Sequence, residues 1–184
     1  MLAAGSEEVV GAAVRGDETA IASLYRELHP QLLRYLRHHV GRFAEDVGSE
    51  VWLGLAPQLA EFGGTIADLR ALMFTIARRR VVDHYRQYGR RPSTCSLDDS
   101  ADRADETDVE AVAVENVTAQ GAVSALVRGL PDDQAEIVLL RALGELDVAQ
   151  VAQIVGKSAG AVRIAQHRTL QHLQQTLPRK AVTR

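Results

Sequence analysis

The chain has 184 residues, a formal net charge of −3 and one cysteine, Cys95. That length allows one cored domain or two small ones, and the charge balance excludes a uniformly basic surface, so nucleic-acid affinity would have to come from local charge segregation. A single cysteine excludes an internal disulfide and a thiolate cluster, as suits a reducing compartment, and the opening MLAAGSEEVV has neither a basic leader nor a long apolar run, so a cytoplasmic chain without membrane insertion is expected.

Period-two alternation is not sustained anywhere, whereas helical spacing is frequent. Asp17 is placed to cap a helix beginning ETAIASLYREL, with Ile21, Leu24, Tyr25 and Leu28 on one face. Pro30 is expected to bend or interrupt it before QLLRYLRHHV resumes with Leu32, Leu33, Leu36 and Val40, and Gly41 marks the stop. A further helix covers AEDVGSEVWLGLAPQLAEF, loosened by Gly48 and Gly54 and perturbed at Pro57. After the break at FGGT, a helix runs from about Asp68 to Tyr88. From Phe74 onward it carries arginine at 78, 79, 80 and 86, with Arg90 and Arg91 just beyond, against one carboxylate, Asp83.

On that helix Arg79, Arg86 and Arg90 fall within one narrow arc, and Leu69, Met73, Ile76 and Ala77 mark the buried arc. A column of guanidinium groups on a packed helix suits phosphate tracking, and Phe62, Phe74, Tyr85 and Tyr88 are candidates to stack on unpaired bases. Taken alone, the same residues read better as core aromatics and a solvated basic face.

From Ser93 to Glu115 the composition turns acidic, with eight Asp/Glu and one Arg, and reads as a tether that buries too little surface to fold alone. Helical periodicity returns near Gln120. Pro131 opens a helix with Asp132, Asp133 and Glu136 at its positive end, and Gly144 ends it. Asp147 caps a short helix carrying Val148, Val151, Ala152 and Val155 inward. Gly156 supplies a left-handed turn residue, and Ser158 caps the next helix. This is a helix-turn-helix layout. On its second helix Val162, Ala165, Thr169, Leu173 and Leu177 share one side, and Arg163, Ile164, His167, Arg168 and Gln171 the other. The second set suits base edges and phosphates in a major groove.

Enzyme chemistry finds no support here. His38 and His39 point about a hundred degrees apart, His167 and His172 lie five apart, and Cys95 has no fixed histidine partner. No catalytic residue, metal or cofactor is expected. A stand-alone helix-turn-helix regulator, with an N-terminal domain for another protein or a ligand, remains open on the residues alone.

AEDVGSEVWLGL followed by LRALMFTIARRRVVDHYRQYGRRP resembles region 2 of the extracytoplasmic-function sigma factors, group 4 of the sigma-70 family. LPDDQAEIVLLRALGELDVAQVAQIVGKSAGAVRIAQHR is similar to their region 4. The resemblance covers nearly the whole chain apart from the tether. It implies an all-α fold: a region 2 helical bundle at 1–91, a flexible acidic linker at 92–120, and a region 4 helix-turn-helix at 121–184. The implied partners are core RNA polymerase, through the clamp coiled coil of its largest subunit and its flap, promoter DNA, and an anti-sigma factor.

By the same resemblance, Asp46, Glu50 and Val51 meet the clamp. The loop at 61–68 captures a flipped base of the −10 element. Phe62, Thr65, Arg78, Arg79, Arg80, Asp83, His84, Arg86 and Arg90 hold the −10 duplex edge and the opened strand. Ser158, Gly160, Arg163, Ile164, His167 and Arg168 read the −35 element, and the acidic linker threads the polymerase channel later used by RNA, with a passive flexible spacer left open by the sequence. Leu72 stands where the family usually has Trp, Arg79 where it has Asn, Glu145 where it has Gly, and Gln150 where it has Glu. The first two departures keep open a sigma-like decoy without melting activity.

Overall fold

The computed structural model describes residues 3–88, 127 and 130–176, with side chains described from 6 to 88, at 127 and from 130 to 171. Seven α-helices are described: α1 (Ala3–Val14), α2 (Glu18–Val40), α3 (Ala44–Leu59), α4 (Ile66–Tyr88), α5 (Asp132–Ala142), α6 (Val148–Val155) and α7 (Ala159–Thr176). A 3-10 turn, Gly41–Phe43, joins α2 to α3. No strand occurs among the described residues, and the architecture is all-α with two domains. The acidic linker lies outside the described residues.

Local chemistry sets the helix ends. The Asp17 carboxylate accepts from the backbone N–H of Thr19 at 2.8 Å and of Ala20 at 3.1 Å. These bonds, led by the one from the Thr19 hydroxyl, hold the Asp17 carboxyl below its usual range. At the other end Gly41 adopts φ 56°, and its N–H returns to the Arg37 carbonyl. Between them α2 runs unbroken through Pro30, contrary to the expected interruption. A proline inside a helix costs about 3 kcal/mol. Leu24, Leu28, Leu32, Leu33 and Leu36 are all buried along this helix, and each contributes about 1.5–3 kcal/mol, so the buried stripe outweighs the lost bond.

α1 was not expected from sequence. Small residues make up much of it, and it is held by Val10 and Ala13, which are buried against the bundle. α3 crosses closely over its neighbours. A methyl added at Gly48 would sit 3.3 Å from Leu33 Cδ2, and one at Gly54 would sit 3.3 Å from Ile76 Cγ2. The two glycines read as helix-weakening in sequence are therefore points of close helix approach, and Pro57 lies within α3 without ending it.

The N-terminal core is built from Tyr35, Val47, Val51, Leu55, Leu69, Met73, Phe74 and Ala77. Leu69, Met73 and Ala77 lie in the buried arc of α4 as expected, while Ile76 is only half-buried. The C-terminal core gathers Ile137, Leu139, Leu140, Leu146, Val151, Ile154 and Val162. The two cores are continuous: they belong to one buried apolar cluster, with α4 lying against α6.

Candidate nucleic-acid interface

The helix-turn-helix is assembled by a sequence of caps. Asp147 accepts from the Gln150 N–H at 2.8 Å, and the Gln150 side chain accepts from the Asp147 N–H at 3.0 Å, a reciprocal capping box. Gly156 takes the left-handed conformation, φ 69°, that a side-chain-bearing residue adopts only with strain. The Ser158 hydroxyl then accepts from the Ala161 N–H at 3.2 Å, starting α7. Lys157 reaches back to Asp133 on α5 at 2.6 Å, and its ammonium holds the Asp133 carboxyl below the usual range.

α7 is two-sided. Val162 and Thr169 are buried, and the Thr169 hydroxyl donates to the Ala165 carbonyl at 3.0 Å, so its polar group is satisfied inside. Ala165 is half-buried on the same side, and the side chains of Leu173 and Leu177 fall outside the described residues. Arg163, Ile164, His167, Arg168 and Gln171 face solvent, with Ile164 55% exposed. Ser158 and Gly160 are exposed at the start of the helix. Among the described residues, no carboxylate lies within ion-pair distance of Arg163 or Arg168. This is a free row of donors, cations and one apolar contact, the set a major groove accepts.

α4 is built differently. Thr65 caps it: its hydroxyl and N–H both donate to Asp68, at 2.7 and 2.9 Å, which lowers the Asp68 carboxyl below its usual range. Thr65 is thus committed to the helix start, and Phe62 beside it is half-buried. Arg79 is exposed. Arg80 pairs with Glu50 at 3.8 Å, and Arg86 with Asp83 at 3.6 Å. Arg78 donates through Nε to Glu136 of the C-terminal domain at 2.9 Å. Arg90 lies outside the described residues.

The expected stacking aromatics divide sharply. Phe74 is 0% exposed and meets Tyr35 edge-on at 5.4 Å, so it is core and unavailable to a base. Tyr85 is half-buried, and its hydroxyl donates to the His39 carbonyl. Tyr88 is 57% exposed and stacks on Phe43, centroids 5.7 Å apart, with His84 packed 5.0 Å from Phe43 and 4.6 Å from Tyr88. Arg42 covers the Phe43 ring at 5.0 Å. This ledge of Phe43, His84 and Tyr88 at the end of α4 was only partly foreseen, because Phe43 comes from the 3-10 turn. Its adjacency to the Gly41 stop was the one available signal.

On α3, Asp46 and Glu50 are exposed. Val51 is 0% exposed and points into the core, which corrects its assignment as a partner contact. A helix places neighbouring residues about a hundred degrees apart, so Glu50 and Val51 cannot share the outer face. The exposed apolar groups of this region are Leu53, 74% exposed, with Ile21 and Tyr25 on α2. The sequence pattern groups Ile21 and Tyr25 on one face with Leu24 and Leu28, which are buried. Tyr25 instead stacks on His29 at 4.4 Å, and Trp52 donates through Nε1 to His29 Nδ1 at 3.1 Å, fixing a polar aromatic cluster at the α2–α3 seam.

Among the described residues no group of three His, Cys, Asp or Glu could hold a metal ion, and no helix is long and apolar enough to cross a membrane. Cys95 lies outside the described residues.

Comparison with known proteins places these two faces in a shared context. Residues 24–91 match the family model of Sigma-70 region 2, and residues 120–173 that of Sigma-70, region 4. The chain is 33% identical over 180 residues to the ECF RNA polymerase sigma factor ShbA of Streptomyces griseus, covering 90% of this chain and 94% of that protein. It is 33% identical over 178 residues to the ECF RNA polymerase sigma factor SigD of Mycobacterium tuberculosis, covering 91% and 82% respectively. Its fold is similar to that of CnrH, solved in complex with the cytosolic domain of CnrY, with a TM-score of 0.60 at 19% identity over 92% of this chain and 95% of that one.

Proposed function

The chain belongs to the ECF sigma factors of the sigma-70 family, and from that premise we propose that it binds core RNA polymerase and opens promoters through the two faces described above. The observation that carries the reading is the pairing of a capped helix-turn-helix, whose Arg163, Ile164, His167 and Arg168 are free, with a separate basic helix ending in an aromatic ledge.

In this scheme polymerase supplies the chemistry and the chain supplies position. α7 enters the major groove of the −35 element, with most affinity from phosphates and a few contacts to bases. Arg78, Arg79, Arg80 and Arg86 hold the −10 region, with Asp83 orienting Arg86. His84 and Tyr88 offer stacking surface, and the loop at 61–68, with Phe62 and Thr65, receives the displaced base. Taking a base out of the stack costs a few kcal/mol, which these contacts offset. Asp46 and Glu50 engage the clamp coiled coil, with Leu53 in place of Val51 as the apolar contact. The acidic linker, carrying the charge of a nucleic-acid mimic, enters the RNA channel.

The exposed Ile21, Tyr25 and Leu53 also suit coverage by an anti-sigma factor; CnrH was solved in complex with the cytosolic domain of CnrY. The decisive experiment adds purified chain to core RNA polymerase with genomic promoter fragments and reads specific transcripts. Specific duplex binding by the chain alone, with no polymerase association, would instead establish a stand-alone regulator.

A further inference from the structure

Ile164 is a large apolar side chain on a face of α7 that otherwise carries hydrogen-bonding and charged groups. Val162, 0% exposed, anchors α7 in the core, and at 3.6 residues per turn Ile164 lies about 160° round the helix from it. Ile164 therefore points away from the domain and stays exposed. Leu170, also exposed on α7, has a different setting: it borders a cleft against Val138 and Arg141 of α5.

Helical side chains lean toward the N-terminus, so Ile164 covers the turn before it, where Gly160 and Ala161 stand exposed. Gly160 contributes no side chain, and a methyl built there would meet Ser158 Oγ at 3.9 Å, so the space above it is open. The result is a shallow apolar notch, floored by Gly160 and Ala161 and walled by Ile164. His167, Arg168 and Gln171 lie within about 60° of Ile164 around the helix axis, so hydrogen-bonding groups border the apolar contact. The notch is also preformed. A β-branched residue in a helix keeps one strongly preferred rotamer, and α7 is tied to α5 by Lys157 on Asp133 and by the Thr169 hydroxyl, 3.4 Å from Gln134 Oε1.

We propose that this notch receives the C5-methyl group of a thymine in the −35 element, which makes Ile164 a specificity-determining residue; the assignment rests on the promoter reading given above. Of the four bases, thymine alone places a methyl in the major groove, next to an O4 acceptor. His167 and Arg168 supply donors for that acceptor beside the notch. The other source of a groove methyl, 5-methylcytosine, presents an amino donor instead, and α7 carries no carboxylate to accept from it. The N-terminal turns of a recognition helix are the part that reaches base edges, and the notch lies within the first two turns of α7.

The test uses the full chain bound to core polymerase, on a promoter that this holoenzyme transcribes. Each thymine of the −35 element, on either strand, is replaced in turn by deoxyuridine, which deletes the methyl and keeps every hydrogen-bonding group. One position should lose about threefold to tenfold in competition against the parent promoter. A 5-methylcytosine·guanine pair at that position should not restore the loss, and full restoration overturns thymine as the ligand. Ile164→Ala should use the thymine and uracil templates equally, whereas Ile164→Val should keep most of the preference, both with unchanged helical circular dichroism. Indifference to uracil at every position of a transcribed promoter, or an undiminished preference in Ile164→Ala, overturns the notch and leaves the polymerase reading intact. Absence of core binding or of specific transcripts defeats the polymerase reading instead. The same uracil scan then runs on duplexes that the chain enriches from a random pool, and indifference there, or no enrichment, overturns the notch as well.

Discussion

The two arginine-bearing helices of this protein solve opposite problems. α7 presents Arg163 and Arg168 with no carboxylate of the described residues in ion-pair range, mounted on a short unit fixed by the Asp147 box, Gly156 and Ser158. α4 presents more arginines, yet Arg70, Arg78, Arg80 and Arg86 are each met by a carboxylate of the protein. Charge count is thus a poor guide to availability. A surface for reading duplex can be left bare, because only phosphate will find it. The basic helix is instead held in an internal network that nucleic acid has to exchange for its own contacts.

That comparison breaks most visibly at Phe74 and Tyr88, two aromatics of the same helix. Phe74→Ala empties a fully buried site between Tyr35 and Gly144 and should lower unfolding stability by about 3–5 kcal/mol. Tyr88→Ala, on the exposed ledge, should change denaturant stability by less than about 1 kcal/mol. A similar loss for both would mean that the ledge is core.

The next effect is on pH. His39 lies between Tyr35, His38 and Arg78, its Nε2 shut off from solvent without a hydrogen-bond partner. Burial first, then the neighbouring positive groups, pushes its pKa down to about 3. Unfolded, it would titrate near the ordinary histidine value of 6.5. Protonation therefore favours the unfolded chain. The stability is fully present above 6.5 and is lost as pH falls through the window toward 3. Between pH 7 and pH 4.5 this one group should account for about 2 kcal/mol of lost stability. His39→Leu should flatten that slope in denaturation curves taken across the window, while an unchanged slope would assign the acid sensitivity elsewhere.

What could be read beforehand was local. Asp17, Asp147, Gly156 and Ser158 each act on backbone within a few residues, so their identity and spacing suffice. Pro30 misled because its cost is local while the compensating leucine stripe packs on other helices. Val51 was taken for a surface residue although helical geometry alone separates it from Glu50. The domain seam was illegible for a plainer reason: Tyr35 and Glu136 are separated by 101 positions, and Ala67 and Gln150 by 83. Glu145 and Gln150 had stood out only as unusual residues for the family. Both turn out to reach across that seam.

Availability itself is tested by paired substitutions. Arg163→Ala removes a cation with no internal partner, so promoter-dependent transcription should fall by the whole of its DNA contact, about 1–3 kcal/mol or roughly tenfold and more, with core binding unchanged. Arg78→Ala loses a DNA contact too, but it also abolishes the competing bond to Glu136, so its net effect on transcription should be smaller. Equal losses, read as run-off yield against salt, would show that Glu136 offers phosphate no competition.

The smallest expected effect separates strain from attachment at a single residue. Glycine relieves the positive φ at 145, a gain of about 1–2 kcal/mol for the C-terminal domain. The ion pair to Arg70 that it removes involves a Glu145 side chain 62% exposed, and such pairs contribute about 1 kcal/mol or less. Glu145→Gly should therefore slow amide exchange in α5 slightly, a net gain of about 0–2 kcal/mol. Faster exchange in α5 would mean that the Arg70 contact, not the backbone conformation, governs this turn. The bare and the paired helices would then be coupled through their folds as well as through their charges.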